Sequence, residues 1–334
     1  MKFGAALVEL GSWQNWHAPE VPLRLGVSAC LLGENVRYDG GHARDRFVAD
    51  TLGQWFEYVP VCPEMEIGMG TPRPPVRLVD DGGRTRLVAP SSGEDFTERM
   101  VVYAEAKISE LARVDLDGYI LKGSSPSCGM ERIPVYHSGR TWRRHAPGLF
   151  AGKLLELWPT LPIEEAGRLN DAGLRENFIE RVFCRNRWRV LVKRGLNRQG
   201  LVQFHTAHKL LLRAHNEAAY HRLGKLVASC GAVSDHELFA AYESGFQNAL
   251  RTQATRKKHA NVLYHAFGYL KKALGPVEKR QLLAAIEDYR GGLLPLIVPL
   301  TLLRYEIRRH AVDYLAGQLY FDPHPKELML RNHV

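Results

Sequence analysis

Three short apolar runs, each closing on a Gly/Pro/Ser-rich loop that carries a cysteine, dominate the first half of the chain. Leu23 to Cys30 reads as a strand, Tyr58 to Cys62 as a second and Tyr119 to Lys122 as a third core strand. Between them lie helical patterns from Arg44 to Phe56 and from Phe96 to Val114, and a hairpin of Val76–Val79 and Thr85–Val88 around Asp81-Gly82-Gly83. Strands alternating with helices predict an α/β, Rossmann-like domain whose parallel sheet is covered on its faces. Ligands of such sheets collect at the carboxyl ends of the strands, where Cys30, Cys62 and Cys128 fall.

The cysteine loops read VSACLLGENVRYDGG, VPVCPEMEIGMGTPRPP and ILKGSSPSCGM. With 31 and 65 residues between successive thiols, no local knuckle forms, and only folding can assemble them. There is no C-x-x-C and no C-x-x-x-C-x-x-C. From the residues alone, an iron-sulfur cluster, a zinc ion and incidental structural thiols all stay open. Three thiolates in place of four would leave one coordination position for a substrate. Glu64 lies two residues beyond Cys62 and Ser125 three before Cys128, which brings a carboxylate and a hydroxyl to the same rim. Such groups suit activation of water and proton relay beside a Lewis acid, and equally suit caps and turns.

Pro159 and Pro162 punctuate a short linker, and beyond Glu165 the texture becomes all-helical. Helices are predicted over Leu174–Lys193, Gly200–Ala228, Asp235–Thr252, Lys257–Leu274, Val277–Arg290 and Leu296–Leu319, with Gly275-Pro276 as a stop signal. The expected organisation is an extension over residues 1–22, a cluster-binding domain over 23–165 and an all-α domain over 166–334. Charge divides at nearly the same place. Residues 1–166 hold 18 Lys+Arg against 22 Asp+Glu, and residues 167–334 hold 27 against 14, a net +13. The basic half is a candidate polyanion binder or a well-solvated helical surface.

Its cations cluster at Arg185, Arg187, Arg189, Lys193, Arg194 and Arg198, at Arg256, Lys257 and Lys258 beside His259, at Lys271 and Lys272, and at Arg308-Arg309. Trp188, Tyr264, Tyr269, Tyr305 and Tyr320 interleave with them and are candidates for stacking on bases, or for core. Cys184 and Cys230 read as core thiols, His205 and His208 as a three-apart pair lacking a third metal ligand, and Gly68-Met69-Gly70 as a weak nucleotide-loop fragment. Arg37 and Asp39 line the pocket or form a turn. The first residues, broken by Glu9, do not read as a secretory signal, and Leu293–Leu303 is too short to span a bilayer. A cytoplasmic location without a membrane role is expected, consistent with thiols kept reduced.

The segments VSACLLGENVRYDGG, CPEMEIGMGTPRPPVRL and LKGSSPSCG together resemble the TudS-type thiouracil desulfidases over residues 24–165. VQFHTAHKLLLRAHN, TRKKHANVLYHAFGYLKKALG, PLTLLRYEIRR and PHPKELMLRNHV look like the helical domain fused to that module in RudS-type tRNA desulfidases. The resemblance implies a 4Fe-4S cluster on Cys30, Cys62 and Cys128, with an open iron that can carry an extra sulfur ligand. It also implies Glu64 and Ser125 as catalytic residues. Its substrate is 4-thiouridine in tRNA, converted to uridine and hydrosulfide, with no DNA partner. Desulfuration of free thiouracil, and a non-catalytic iron-sulfur sensor that binds nucleic acid, are the alternatives.

Overall fold

A computed structural model describes residues 22–137, 140–229 and 234–334. The chain divides into two compact units, with Pro22–Asp171 in one and Ala172–Val334 in the other. Apart from Pro22, the expected extension over 1–22 lies outside the described residues, as does Cys230.

In the first unit, β1 (Leu23–Ser28), β2 (Phe56–Val61), β5 (Gly118–Leu121) and β8 (Ile163–Glu165) form a sheet in the order β2-β1-β5-β8, every pair parallel. Parallel strands covered on both faces need near-continuous apolar runs, and Leu25, Val27, Tyr119, Ile120 and Leu121 are all fully buried. Gly26 lets the chain pass beneath the Tyr119 ring, since a Cβ there would come within 2.2 Å of it. The helices α2 (Thr97–Leu111) and α3 (Leu149–Leu157) pack on the Tyr119 face through Met100, Ala104, Ile108, Phe150 and Leu154. A second sheet runs β4 (Arg84–Val88), β3 (Arg77–Asp81), β6 (Ile133–His137), β7 (Arg140–Ala146), with two antiparallel hairpins joined by a parallel β3/β6 pair.

Two expectations are corrected in this unit. The stretch Arg44–Phe56 is not one helix. It is a wide turn over Phe47–Thr51 and a tight one over Leu52–Gln54, entered where Asp45 Oδ1 accepts the Val48 N–H at 3.0 Å. The segment after Pro162 is not a linker but the fourth strand, in register with β5 at Tyr119↔Ile163 and Leu121↔Glu165.

The second unit is helical throughout its described residues. It contains α4 (Ala172–Lys193), α5 (Arg198–Ala207), α6 (Lys209–His215), α7 (Glu217–Ala228), α8 (Asp235–Leu250), α9 (Arg256–Leu270), α10 (Pro276–Arg290), α11 (Ile297–Arg309) and the short α12 (Asp313–Ala316). The predicted Gly200–Ala228 helix breaks twice, once at His208 and once at Asn216, whose side chain caps α7 by accepting the Ala219 N–H at 2.9 Å. The run Leu296–Leu319 breaks after Arg309, where Ala311 takes a φ of 47°. The start of α8 is a capping box between Ser234 and Glu237. Among the described residues no helix is long and apolar enough to cross a membrane.

Candidate functional site

The connections from β1 run to β2 on one side of the sheet and those toward β5 lie on the other, so a crevice opens at the carboxyl end of β1. A cavity of about 290 Å³ occupies it, lined by Cys30, Cys62 and Cys128 together with Glu64, Ser125 and the cations Arg37, Arg73 and Lys122. The three thiols and both flanking residues singled out in the sequence therefore share one cavity.

Each thiol is held by a backbone feature written locally. Cys30 sits in a tight turn, Ala29–Leu32, closed by Gly33 at a φ of 102°, and its carbonyl accepts the Gly33 and Ala43 N–H groups. Cys62 follows β2 directly and precedes the four-residue turn α1 (Pro63–Glu66), which carries Glu64. Cys128 lies in the loop after β5, where Ser125 Oγ accepts the N–H groups of Ser127 at 3.2 Å and Cys128 at 3.0 Å. Glu165, at the end of β8, accepts the Met130 N–H at 2.6 Å, and Gly148 backs the same loop so closely that a Cβ would lie 2.6 Å from the Ser127 carbonyl.

Burial pushes the Cys30 thiol up to about 11, reinforced by Cys62 and opposed by the charges of Lys122 and Arg37. Burial also raises Cys62, and raises Cys128 far above the ordinary thiol value with help from Glu64 and Cys62 against a hydrogen bond to Ser28. Metal loading therefore has to displace thiol protons. Among the described residues no three His, Cys, Asp or Glu side chains converge closely enough to hold one metal ion. A cluster places each thiolate on a different iron, so its ligands stand apart around a common void, which is the arrangement these three cysteines have.

Among the described residues that line the cavity, Glu64 is the one carboxylic acid. Arg73 donates to its Oε2 from Nε at 2.9 Å and also from Nη2, while Ser127 Oγ donates to its Oε1 at 2.7 Å. Neither Arg73 nor Ser127 stands out in the sequence. Arg73 carries only the faint signal of a cation between prolines, and Ser127 is one of three serines in GSSPSCG.

Other candidates resolve into structure. Arg37 lines the cavity, whereas Asp39 forms the turn by accepting the Gly41 N–H at 3.0 Å and pairs with Arg37 at 3.3 Å. Gly68 and Gly70 take positive φ in the turn that delivers Arg73, whose Nη1 donates to the Gly70 carbonyl. His205 pairs with the Tyr242 hydroxyl at 3.1 Å and His208 with the Phe204 carbonyl at 2.7 Å, and both rings are buried in the helical unit. Cys184 is fully buried core.

The basic surface is thinner than the sequence suggests. Arg185 and Arg187 are buried in α4, Arg185 at 3.6 Å from Glu243 and Arg187 donating to the Pro323 carbonyl. Trp188 and Tyr320 are buried as well, Trp188 stacking on Tyr242, so neither can stack on a base. The surface placement expected for Arg185 and Arg187 is corrected because α4 is buried on every side from Phe178 to Trp188, while Trp188 and Tyr320 take the core alternative. Arg189 is half-buried, and Lys193, Arg194, Arg256, Lys257, Lys271, Lys272, Tyr269 and Tyr305 reach the surface. Lys258 joins Arg213, Asn261, Tyr264 and His265 in a groove of about 530 Å³ that also contains Glu217.

Residues 25–166 match the family model described as 2-thiouracil desulfurase, and residues 209–325 match one described as a protein of unknown function, DUF1722. The uncharacterized protein YbbK of Bacillus subtilis (strain 168) is 33% identical over 108 residues, 31% of this chain and 71% of YbbK. The uncharacterized protein YbgA of Escherichia coli (strain K12) is 31% identical over 153 residues, 46% of this chain and 90% of YbgA. Among solved structures, the 4Fe-4S-dependent thiouracil desulfidase TudS is similar at 30% identity, over 45% of this chain and 94% of that one, with a TM-score of 0.36.

Proposed function

The chain belongs to the 2-thiouracil desulfurase family, and from that premise we propose that it removes sulfur from 4-thiouridine in tRNA, with a 4Fe-4S cluster held by Cys30, Cys62 and Cys128. The observation that carries this reading is the convergence of three thiols and the fixed carboxylate of Glu64 on one cavity. The reaction is a hydrolysis. Water replaces sulfur at C4 of the pyrimidine, the C–S bond breaks, uridine and hydrosulfide leave, and no electrons are exchanged.

When bound by three thiolates, the cluster supplies an iron without a protein ligand, a sulfur-loving Lewis acid that polarises the thiocarbonyl. The remaining work falls to side chains. Glu64, at Oε1, accepts a proton from the attacking water. Ser125 has its oxygen committed as an acceptor to two backbone N–H groups, so its hydroxyl proton is the part left to donate toward the substrate. Tyr38, 45% exposed beside the lining residue Arg37, offers a ring on which the pyrimidine stacks, while Arg37 meets the backbone phosphate. A paired thiouridine has to turn outward to reach the cavity, at about a few kcal/mol offset by phosphate contacts. In the helical unit, the exposed cations Lys193, Arg194, Lys257, Lys271 and Lys272 and the groove containing Arg213 and Lys258 support the assignment of tRNA as the partner.

The test is anaerobic reconstitution followed by incubation with thiolated tRNA, tracking the near-ultraviolet absorbance of 4-thiouridine. The absorbance falls with the wild type and persists with Cys128→Ala. Turnover of free thiouracil without turnover of tRNA would transfer the reading to the free base, and iron-free protein after reconstitution would end it.

A further inference from the structure

Beyond the residues already given roles, we infer that Arg73 and Ser127 are positioning residues that lock the Glu64 carboxylate so that only Oε1 is presented to the attacking water. The inference rests on the reading of Glu64 as the base. Three observations carry it, and each concerns how completely the two side chains are committed.

First, four of the five Arg73 N–H groups are already used. Nε and one Nη2 N–H hold Glu64 Oε2, one Nη1 N–H meets the Gly70 carbonyl at 2.8 Å, and the other faces Met65 Sδ at 3.6 Å. The Arg73 side chain is 3% exposed, so although it lines the cavity it has almost no donor left for a substrate. Its two convergent N–H groups anchor Oε2 from a fixed direction, as a rotatable lysine ammonium would not.

Second, Ser127 is fully buried and does not line the cavity, yet its hydroxyl reaches Glu64 Oε1 from behind. A hydroxyl in that place cannot touch substrate. It fixes the remaining rotation of the carboxylate and leaves Oε1 with lone-pair capacity toward the void.

Third, Glu64 belongs to the turn after Cys62 and Ser127 precedes Cys128, so this hydrogen bond joins two thiol-bearing loops across 63 residues of sequence. The base is thereby set relative to both loops at once. A carboxylate on a four-residue turn would otherwise sample several rotamers, and misplacement of about 1 Å is enough to cost about 100-fold in rate. Buried ion pairs contribute little net stability, so retaining one at the cavity wall fits a geometric role.

The experiment is steady-state desulfuration by the full-length, cluster-loaded chain carrying Glu64→Gln, Arg73→Ala, Arg73→Lys, Ser127→Ala, Ser127→Thr and the double substitution Glu64→Gln/Arg73→Ala. Glu64→Gln should lower kcat by about 100-fold or more, the range of a lost general base. Arg73→Ala should lower kcat by about 10- to 100-fold with KM within about twofold, and Ser127→Ala by about 10-fold, with Ser127→Thr and Arg73→Lys recovering part of each loss. Visible cluster absorbance per chain should stay constant across the series. Because Arg73 acts through Glu64, the double variant should be no slower than Glu64→Gln alone. Multiplied losses in the double variant would overturn the inference by showing Arg73 at work on the substrate itself. So would a raised KM at constant kcat, or cluster loss that tracks the rate loss. A Glu64→Gln variant with wild-type kcat would instead remove the base reading underneath it, an outcome distinguishable from the other three.

Discussion

Arg331 is placed to report how the helical unit is held closed. Its side chain is buried, donates to Glu176 Oε1 at 2.6 Å, to Glu180 Oε2 at 3.3 Å and to the Tyr320 carbonyl, and lies 5.3 Å over the Tyr320 ring. Burial alone would raise both carboxyls. The Arg331 charge with His324 at Glu176, and His215 with Arg331 behind it at Glu180, overcome burial and hold both below the usual carboxylate range. Replacing Arg331 by Met removes the main cation from Glu176, which keeps His324 at 4.0 Å, and the second cation from Glu180, whose stronger partner His215 remains. Breaking a buried pair by deleting one partner costs about 3–5 kcal/mol. At about 2–4 °C per kcal/mol for a unit of this size, the helical transition should fall by about 6–20 °C. Urea and thermal unfolding of the full chain, followed by far-ultraviolet circular dichroism, measure both. The pH dependence adds a sign. Depressed carboxyls contribute stability that is present above their unfolded value of about 4.3 and lost as pH falls, so the gap between wild type and Arg331→Met should narrow on acidification. His215 acts oppositely. Burial lowers it, the Glu180 charge and bond win and raise it, and its contribution is therefore present below about 6.5 and lost as pH rises through the folded value. A deficit under about 1 kcal/mol, or a gap that widens in acid, would refute the reasoning.

Gly26→Ala places a methyl carbon 2.2 Å from the Tyr119 ring inside the parallel sheet, so urea titration should show a loss of at least about 1–3 kcal/mol. Gly148→Ala meets backbone, 2.6 Å from the Ser127 carbonyl, and should displace the loop carrying Ser125 and Cys128. Its signature is reduced iron content after reconstitution with helix content unchanged. Charge reversal of the groove by Arg213→Glu with Lys258→Glu should weaken tRNA retention on filters by at least about 10-fold and flatten its salt dependence, while turnover of free thiouracil stays at the wild-type rate.

What could be read in the sequence was whatever short stretches of chain decide by themselves. The strands β1, β2 and β5 stood out because a parallel strand buried on both faces is apolar without alternation, and the cysteines stood out because each directly follows such a run. The strand β8 did not, since only Ile163 in Ile163-Glu164-Glu165 is apolar. Glu164 is buried there through its 2.7 Å bond to Arg168, a partner no periodicity reveals. The helical breaks at His208 and Asn216 were hidden because the apolar spacing continues across them, and only the capping bond of Asn216 marks a new start. In α4 the arginines looked solvated because charge usually is. A central helix enclosed from Phe178 to Trp188 carries Arg185 and Arg187 inward instead, each with a partner distant in sequence.

The same division runs through the candidate site. Glu64 is visible beside Cys62, but its orientation depends on Arg73, delivered by a turn of two positive-φ glycines, and on Ser127, delivered by a different strand. Ser125 is the serine of that loop that stands out in the sequence, and the structure gives it the cavity wall and the Cys128 N–H while giving Ser127 the carboxylate. The two hydroxyls therefore divide the loop between them, one at the cavity wall and one on the Glu64 carboxylate. Exchanging which position carries the hydroxyl, Ser125→Ala against Ser127→Ala, separates these tasks. The first removes the proton donor and also the acceptor of the Ser127 and Cys128 N–H groups, whereas the second loosens Glu64 with the Cys128 turn intact; because the two hydroxyls share one hydrogen-bond network, the combined loss in kcat should be smaller than the product of the single losses.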